Sequence, residues 1–241
     1  MNAQCLYRWP PAARFGRVVP KNKFFEHGKI ATTVREKFVS EVQRITWAYK
    51  LADSTIHLRG TEAVPEIQVF VIDAKGDDVS DDVLAAIDKA VPFPIIFEIN
   101  RDSGGEGQTR MAGCHKRLDG AKPQLSSYFS NSWLTVDTTR SALPSALDLA
   151  SLYSGLLTPM LPVEPRAGER LSEATERVGQ ARKLQREIAT LERRLRREPQ
   201  LNRKVELRRE LKEREARLAA VTDPVLPKPQ NDPQKDTQWT S

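Results

Sequence analysis

The stretch EIQVFVIDAKGDDVSDDVLAAIDKAVPFPIIFEIN, residues 66–100, changes periodicity twice. Residues 66–73 are rich in β-branched and aromatic side chains and start directly after Pro65, the pattern of a strand. From Ser80 to Val91 the spacing becomes helical, with Val83, Leu84, Ile87 and Val91 on one face. Ser80 stands where an N-cap belongs, and Asp81 and Asp82 lie near the positive end of the helix dipole. Residues 93–100 return to strand composition. Strand, helix and strand joined by short links predict a parallel, right-handed crossover.

Upstream, KIATTVREKFVSEVQRI (29–45) places Val34, Phe38, Val42 and Ile45 at spacings of 4, 4 and 3, which predicts one helix reaching Ile45. Thr32 or Thr33 would cap it, with Glu36 three residues after Thr33 closing a capping box. ITWAYKLA (45–52) and STIHLR (54–59) read as two strands. Downstream, the polar RDSGGEGQ (101–108) is a hairpin turn that returns the chain as TRMAGCHKR (109–117). SYFSNSWLTVD (127–137) is a further strand. SALDLASLYSGLLTPML (145–161) is a helix ended by Pro159, with Leu147, Leu149, Leu152, Leu156 and Leu157 largely on one side. The sum is an α+β fold: a mixed sheet of about five or six strands with flanking helices.

A second, all-helical part follows. The expected organisation is an extended segment over 1–17, the α+β domain over 18–160, a proline-bearing linker over 161–166, a basic antiparallel helical hairpin over 167–221 and a disordered tail over 222–241. From Leu171 to Leu195 apolar residues recur every three or four positions, the seam of a coiled-coil-like helix. Running one helix on past Pro199 would put Glu198 and Asn202 into that seam, and proline disfavours helix at Glu198. Folding back about residue 198, with Pro199 in the first turn of the second helix, pairs Leu195 with Leu201 and Leu191 with Val205. Ile188 then meets Leu207, Leu184 meets Leu211 and Val178 meets Leu218, while Lys204 and Arg214 snorkel at the seam edges.

Charge follows the same division. Residues 167–221 hold 16 of the 38 basic residues and 10 of the 32 acidic ones, leaving 22 of each elsewhere, so the whole net charge of +6 sits in the hairpin. Arg182, Arg186, Arg193, Arg196, Arg197, Arg203, Arg208 and Arg209 are the candidate contacts to DNA or to an acidic protein partner. A solvated face of interleaved arginine and glutamate, paired as Glu192–Arg196 and Glu210–Arg214, is the competing explanation. No aromatic residue lies within 167–221, so base stacking is not expected and DNA contact would be sequence-nonspecific.

Catalytic signals are sparse. His27, His57, His115, Cys5 and Cys114 show no metal-ligand spacing, and phosphate-loop and nucleophile-elbow motifs are missing from the sequence. The enzyme alternative is a Mg²⁺-dependent nuclease drawing on Glu66, Asp73, Glu98 and Lys116, with Glu36 or Glu41 from the first helix, because two-metal chemistry needs clustered carboxylates and often a lysine. Asp73 could instead cap a turn, and Glu98, alternating with Phe97 and Ile99, could face water. Lys50 and Lys116, each ending an apolar run, could flank an anion or simply lie on the surface. No cofactor is expected outside the nuclease alternative. Two cysteines, no apolar run of ~18 residues and no signal-like N-terminus fit a cytoplasmic chain.

VPKNKFFE, VQRITWAYKLADSTIHL, EIQVFVIDAK, IDKAVPFPIIFEI, HKR, SSYFSNSWL, LPSALDLASLYSGLL and QLNRKVELRRELKE, in this order, resemble a bacterial family known as domain of unknown function 4391. The resemblance runs from residue 18 to 221 and carries no catalytic residues over. It implies company with helicases and DNA methyltransferases in restriction-like or phage-defence gene clusters. The expected function is therefore a non-catalytic accessory subunit, docked to such a partner and touching DNA through the hairpin. A nuclease and a homo-oligomerisation module are the alternatives.

Overall fold

The structure, a computed structural model, describes residues 6–26, 30–118 and 123–225. His27, Cys5 and all but the first few residues of the expected tail lie outside them. The chain divides into two compact units between Pro162 and Val163.

In the first unit the elements are β1 (Arg14–Val18), α1 (Asn22–Glu26), α2 (Thr32–Glu41), β2 (Val42–Leu51), α3 (Asp53–Ile56), β3 (Ile67–Ala74), α4 (Asp81–Ala90), β4 (Ile95–Ser103), β5 (Glu106–Gly113), β6 (Lys116–Arg117), β7 (Gln124–Leu125), β8 (Phe129–Ser130), β9 (Leu134–Thr135) and α5 (Leu149–Leu157). The main sheet has seven strands in the order β1-β2-β3-β4-β5-β8, with β9 also on β5. Only β3 and β4 are parallel, joined through α4 as the 66–100 pattern requires; every other pair is antiparallel. β6 and β7 form a separate ribbon.

Several local expectations are corrected. α2 ends at Glu41 and β2 begins at Val42, so Val42 and Ile45 are strand residues. The irregular register between Val42 and Arg44 puts both on the core face, and their odd spacing imitates a helix. Thr32 and Thr33 lie inside α2, whose N-cap is Ala31, and no side chain caps it. STIHLR is the short helix α3 followed by His57 in the left-handed region, not a strand. Ser80 is the N-cap of α4 by position, yet its hydroxyl makes no capping bond. The 127–137 strand is broken into β8 and β9. α5 starts at Leu149, leaving Leu147 exposed, and Pro159 falls within a 3₁₀ turn that extends α5.

One sheet face carries Ile45, Phe70, Ile72, Phe97, Ile99 and Ala112 and packs with Phe38 of α2 and Val83, Leu84 and Ile87 of α4. Burying the Ile and Phe side chains of this face at roughly 2 kcal/mol each is the main term holding helices to sheet. The opposite face is divided. At Gly113 an added Cβ would lie 2.7 Å from Leu157, which shows how closely α5 covers that end.

The second unit contains α6 (Leu171–Arg197) and α7 (Leu201–Thr222), two long helices forming a hairpin. The 27 residues of α6 span about 40 Å. Glu198, Pro199 and Gln200 are the turn; Pro199 precedes the N-cap Gln200 and does not lie in the first turn of α7. Ala174, Val178, Ala181 and Leu191 are buried on α6. On α7 the seam runs through Lys204, Leu207, Leu211, Arg214, Leu218 and Val221. Leu201 and Val205, expected in the seam, are 72% and 58% exposed. The half-buried stem of Lys204 takes their place near the turn, and that of Arg214 continues the seam between Leu211 and Leu218.

Candidate functional site

The four residues of the nuclease alternative sit in separate environments. Glu66 precedes β3, pairs with Lys50 at 2.6 Å and accepts a bond from Gln68. Asp73 lies at the other end of β3, about 23 Å away for seven extended residues, where it pairs with Arg44 at 2.8 Å and accepts from the Asn100 amide. It is a strand residue and caps no turn. Glu36 is exposed on α2, and Glu41 accepts the Ser80 amide, tying the end of α2 to the start of α4.

Lys116 is not on the surface: its side chain is 0% exposed. Its ammonium donates to the carbonyls of Asp88, Val91 and Phe93, closing the C-terminal end of α4 where the helix dipole is negative. Asp88, equally buried, receives Tyr128 Oη and Cys114 Sγ and faces Lys116 at 3.4 Å. Burial pushes the Asp88 carboxyl up against the pull of Lys116, and burial pushes Lys116 down against the pull of Asp88. Burial, reinforced by the Asp88 charge, raises the Cys114 thiol, which removes it as a nucleophile. This cluster is a polar clamp beneath the sheet.

Glu98 does not face water either. Strand alternation puts it opposite Phe97 and Ile99, and it is 4% exposed. Arg140 grips its carboxylate with both terminal nitrogens at 2.6 and 3.1 Å, and the Trp9 indole donates at 2.7 Å. The bond to Glu98 raises the Arg140 guanidinium further above its ordinary value. Arg140 also donates to the Tyr7 carbonyl, and the Arg8 amide bonds the Ser141 carbonyl. The segment Leu6–Trp9 is thereby held beside residues 140–141 on this face.

Around Glu98 opens a cleft of about 580 Å³. Its floor comes from alternate residues of four strands: Arg14, Gly16 and Val18 of β1, Arg44, Thr46 and Ala48 of β2, Val71 of β3 and Glu98 of β4. Arg8, Trp9, Tyr49 and Arg140 complete the wall. A β-bulge between Arg14 and Arg17, with Gly16 at φ +69°, reshapes the edge strand beside the cleft. Four guanidinium groups and one carboxylate thus share one opening. Arg140 was not legible as a neighbour of Arg8 and Arg14, since it lies more than a hundred residues from both. The alternations Arg14–Gly16–Val18 and Arg44–Thr46–Ala48 are the available signal.

The family model described as Domain of unknown function (DUF4391) matches residues 8–218. The chain belongs to that family. No match was found among curated proteins or among solved structures. In this DUF4391 protein, no helix among the described residues is long and apolar enough to cross a membrane. Nor do the described residues contain a group of three or more His, Cys, Asp or Glu that could hold a metal ion.

The hairpin of the DUF4391 chain uses some of its arginines internally. Arg177 is 6% exposed; it donates to Glu169 through two nitrogens, at 2.8 Å each, and to the Val221 and Glu164 carbonyls. Arg166 donates to the Ala220, Val221 and Asp223 carbonyls, so two arginines close the C-terminal end of α7. Burial alone would raise the Glu169 carboxyl, but bonds from Arg177 and the Arg166 amide, with both positive charges, hold it below its ordinary value. Midway along, Arg214 pairs with Glu187 across the hairpin, not with Glu210.

The candidate contact arginines fare differently. Arg193 bonds the Ala189 carbonyl and Thr190, Arg209 lies 3.6 Å from Glu213, and Arg182 is also engaged. Among the described residues Arg186, Arg196, Arg197, Arg203 and Arg208 make no side-chain hydrogen bond or ion pair, and all five are exposed. Arg182, Arg186, Arg193 and Arg197 fall within about 60° of one another around α6, a stripe about 22 Å long.

Proposed function

We propose that this chain is a non-catalytic accessory subunit of a DNA-processing or phage-defence system, whose hairpin contacts the nucleic-acid backbone without reading sequence. The observation that carries this reading is the set of five exposed, partner-free arginines on the half of the hairpin nearer its turn. Guanidinium groups at helical spacing suit repeated phosphate contacts, and the hairpin offers no aromatic ring for bases. The leucine seam gives them a stiff support. Arg194, Arg196 and Arg197 also favour the last turn of α6 through its dipole, so a structural benefit coexists with the binding role. A helicase or DNA methyltransferase is the partner class implied by the family resemblance.

Fluorescence anisotropy with a labelled duplex tests the reading. Affinity should fall about tenfold or more between 50 and 200 mM salt, and changing Arg193, Arg196, Arg197 and Arg203 together to Glu should abolish binding. Absence of binding at low salt, or binding that ignores salt, refutes the DNA role.

A further inference from the structure

We propose that the cleft on the sheet face of the first unit binds a phosphorylated, ring-bearing ligand of mononucleotide size. This goes beyond the hairpin's role and rests on a different set of residues. Among the described residues Arg8 and Arg14 have no side-chain hydrogen bond or ion pair, although both are in the same opening. Like charges gathered in one cleft repel, and an anion between them relieves that repulsion. Arg44 uses only its Nε atom on Asp73, which orients the guanidinium and leaves both terminal nitrogens for a ligand. Arg140 is fixed by Glu98 and the Tyr7 carbonyl, which neutralises Glu98 and stops it from repelling an anion. With Asp73 counted beside Glu98, four arginines still outnumber the carboxylates by two. Planar guanidinium forks suit phosphate oxygens better than a halide.

Apart from Thr46, the remaining lining is mostly apolar or aromatic. Val18, Ala48 and Val71 form a floor, and the half-buried Tyr49 ring lies 6.0 Å from Trp9, centroid to centroid. An aromatic and aliphatic patch beside guanidinium groups accommodates a ring joined to a phosphate. The volume of about 580 Å³ is in the range of small-ligand sites.

The test is calorimetric titration of the full-length protein at about 50 mM salt with adenosine 5′-monophosphate, adenosine, inorganic phosphate and a 5′-phosphorylated thymidine oligonucleotide. The monophosphate should bind about tenfold or more tightly than adenosine or phosphate alone. R8A/R14A should weaken it about a hundredfold, at about tenfold for each lost charge-assisted contact. The hairpin variant R193E/R196E/R197E/R203E should leave it unchanged, which separates this site from the hairpin. If the oligonucleotide also loses affinity in R8A/R14A and exceeds the monophosphate, the ligand is a nucleic-acid end; if it does not exceed it, the ligand is a free nucleotide. Neither exposed arginine holds the fold, so R8A/R14A should melt as the parent does. The proposal is overturned if the monophosphate does not bind, if adenosine or phosphate binds equally well, or if R8A/R14A binds like the parent.

Discussion

Replacing Arg177 with Ala should open the hairpin from its base. The guanidinium makes four hydrogen bonds, two to Glu169 and one each to the Val221 and Glu164 carbonyls. Its removal strands the Glu169 carboxylate, whose side chain is 5% exposed and which keeps, among the described residues, only the Arg166 backbone amide as a donor. Removing one partner of a buried ion pair costs about 3–5 kcal/mol, and the surviving amide bond argues for the lower end. At about 3 kcal/mol, amide-exchange protection in the last turns of α7 should fall about a hundredfold. Hydrogen exchange on the full-length protein, read by mass spectrometry over residues 214–222, measures this. Adding Glu169→Gln to Arg177→Ala should recover part of the loss, because the orphaned charge is gone. A loss below about 1 kcal/mol, or no recovery in the double variant, would refute the claim that this pair closes the hairpin.

Acid should act on the same place. The Glu169 carboxyl is depressed in the folded chain, so its contribution is complete above the ordinary value of 4.5 and fades as pH falls through the folded value; helical circular dichroism during acid titration should show this, and Glu169→Gln should flatten it. Ser80→Ala should leave the melting temperature unchanged or raise it slightly, because the Ser80 hydroxyl oxygen is buried with no hydrogen-bond partner. Gly113→Ala should destabilise by about 1–3 kcal/mol in chemical denaturation, since its methyl would meet Leu157 and Ile96 at 2.7 and 3.3 Å. Lys116→Met should lower stability by about 3 kcal/mol, because the buried Asp88 loses its cation and the Asp88, Val91 and Phe93 carbonyls lose their donor, and adding Asp88→Asn should restore part of it.

The 66–100 crossover was readable because each element there announces itself locally: β-branched and aromatic composition in β3, a single apolar face in α4, and no bulge in the β3–β4 register. The α2–β2 boundary was not, because an irregular register near Val42 gives strand residues a three-residue spacing on one face. In the hairpin, the antiparallel reversal followed from Pro199 and the phase of the leucines. The α7 seam was legible through Leu207, Leu211 and Leu218 but not beside the turn, where counting apolar side chains favours Leu201 and Val205 over Lys204, whose stem does the packing. Long-range chemistry was least accessible. Lys116 reads as a surface lysine until α4 is seen to end above it, and Glu98 reads as solvated until Trp9 and Arg140 arrive from distant segments.

Arg166 stands before α6 and grips the carbonyls that end α7, so the chain enters and leaves the hairpin at one point. A segment whose two ends are already fastened together can be spliced into a surface loop of another protein without prising that loop apart. Residues 163–225 therefore form a portable cassette, suited to exchange between scaffolds as an intact arm.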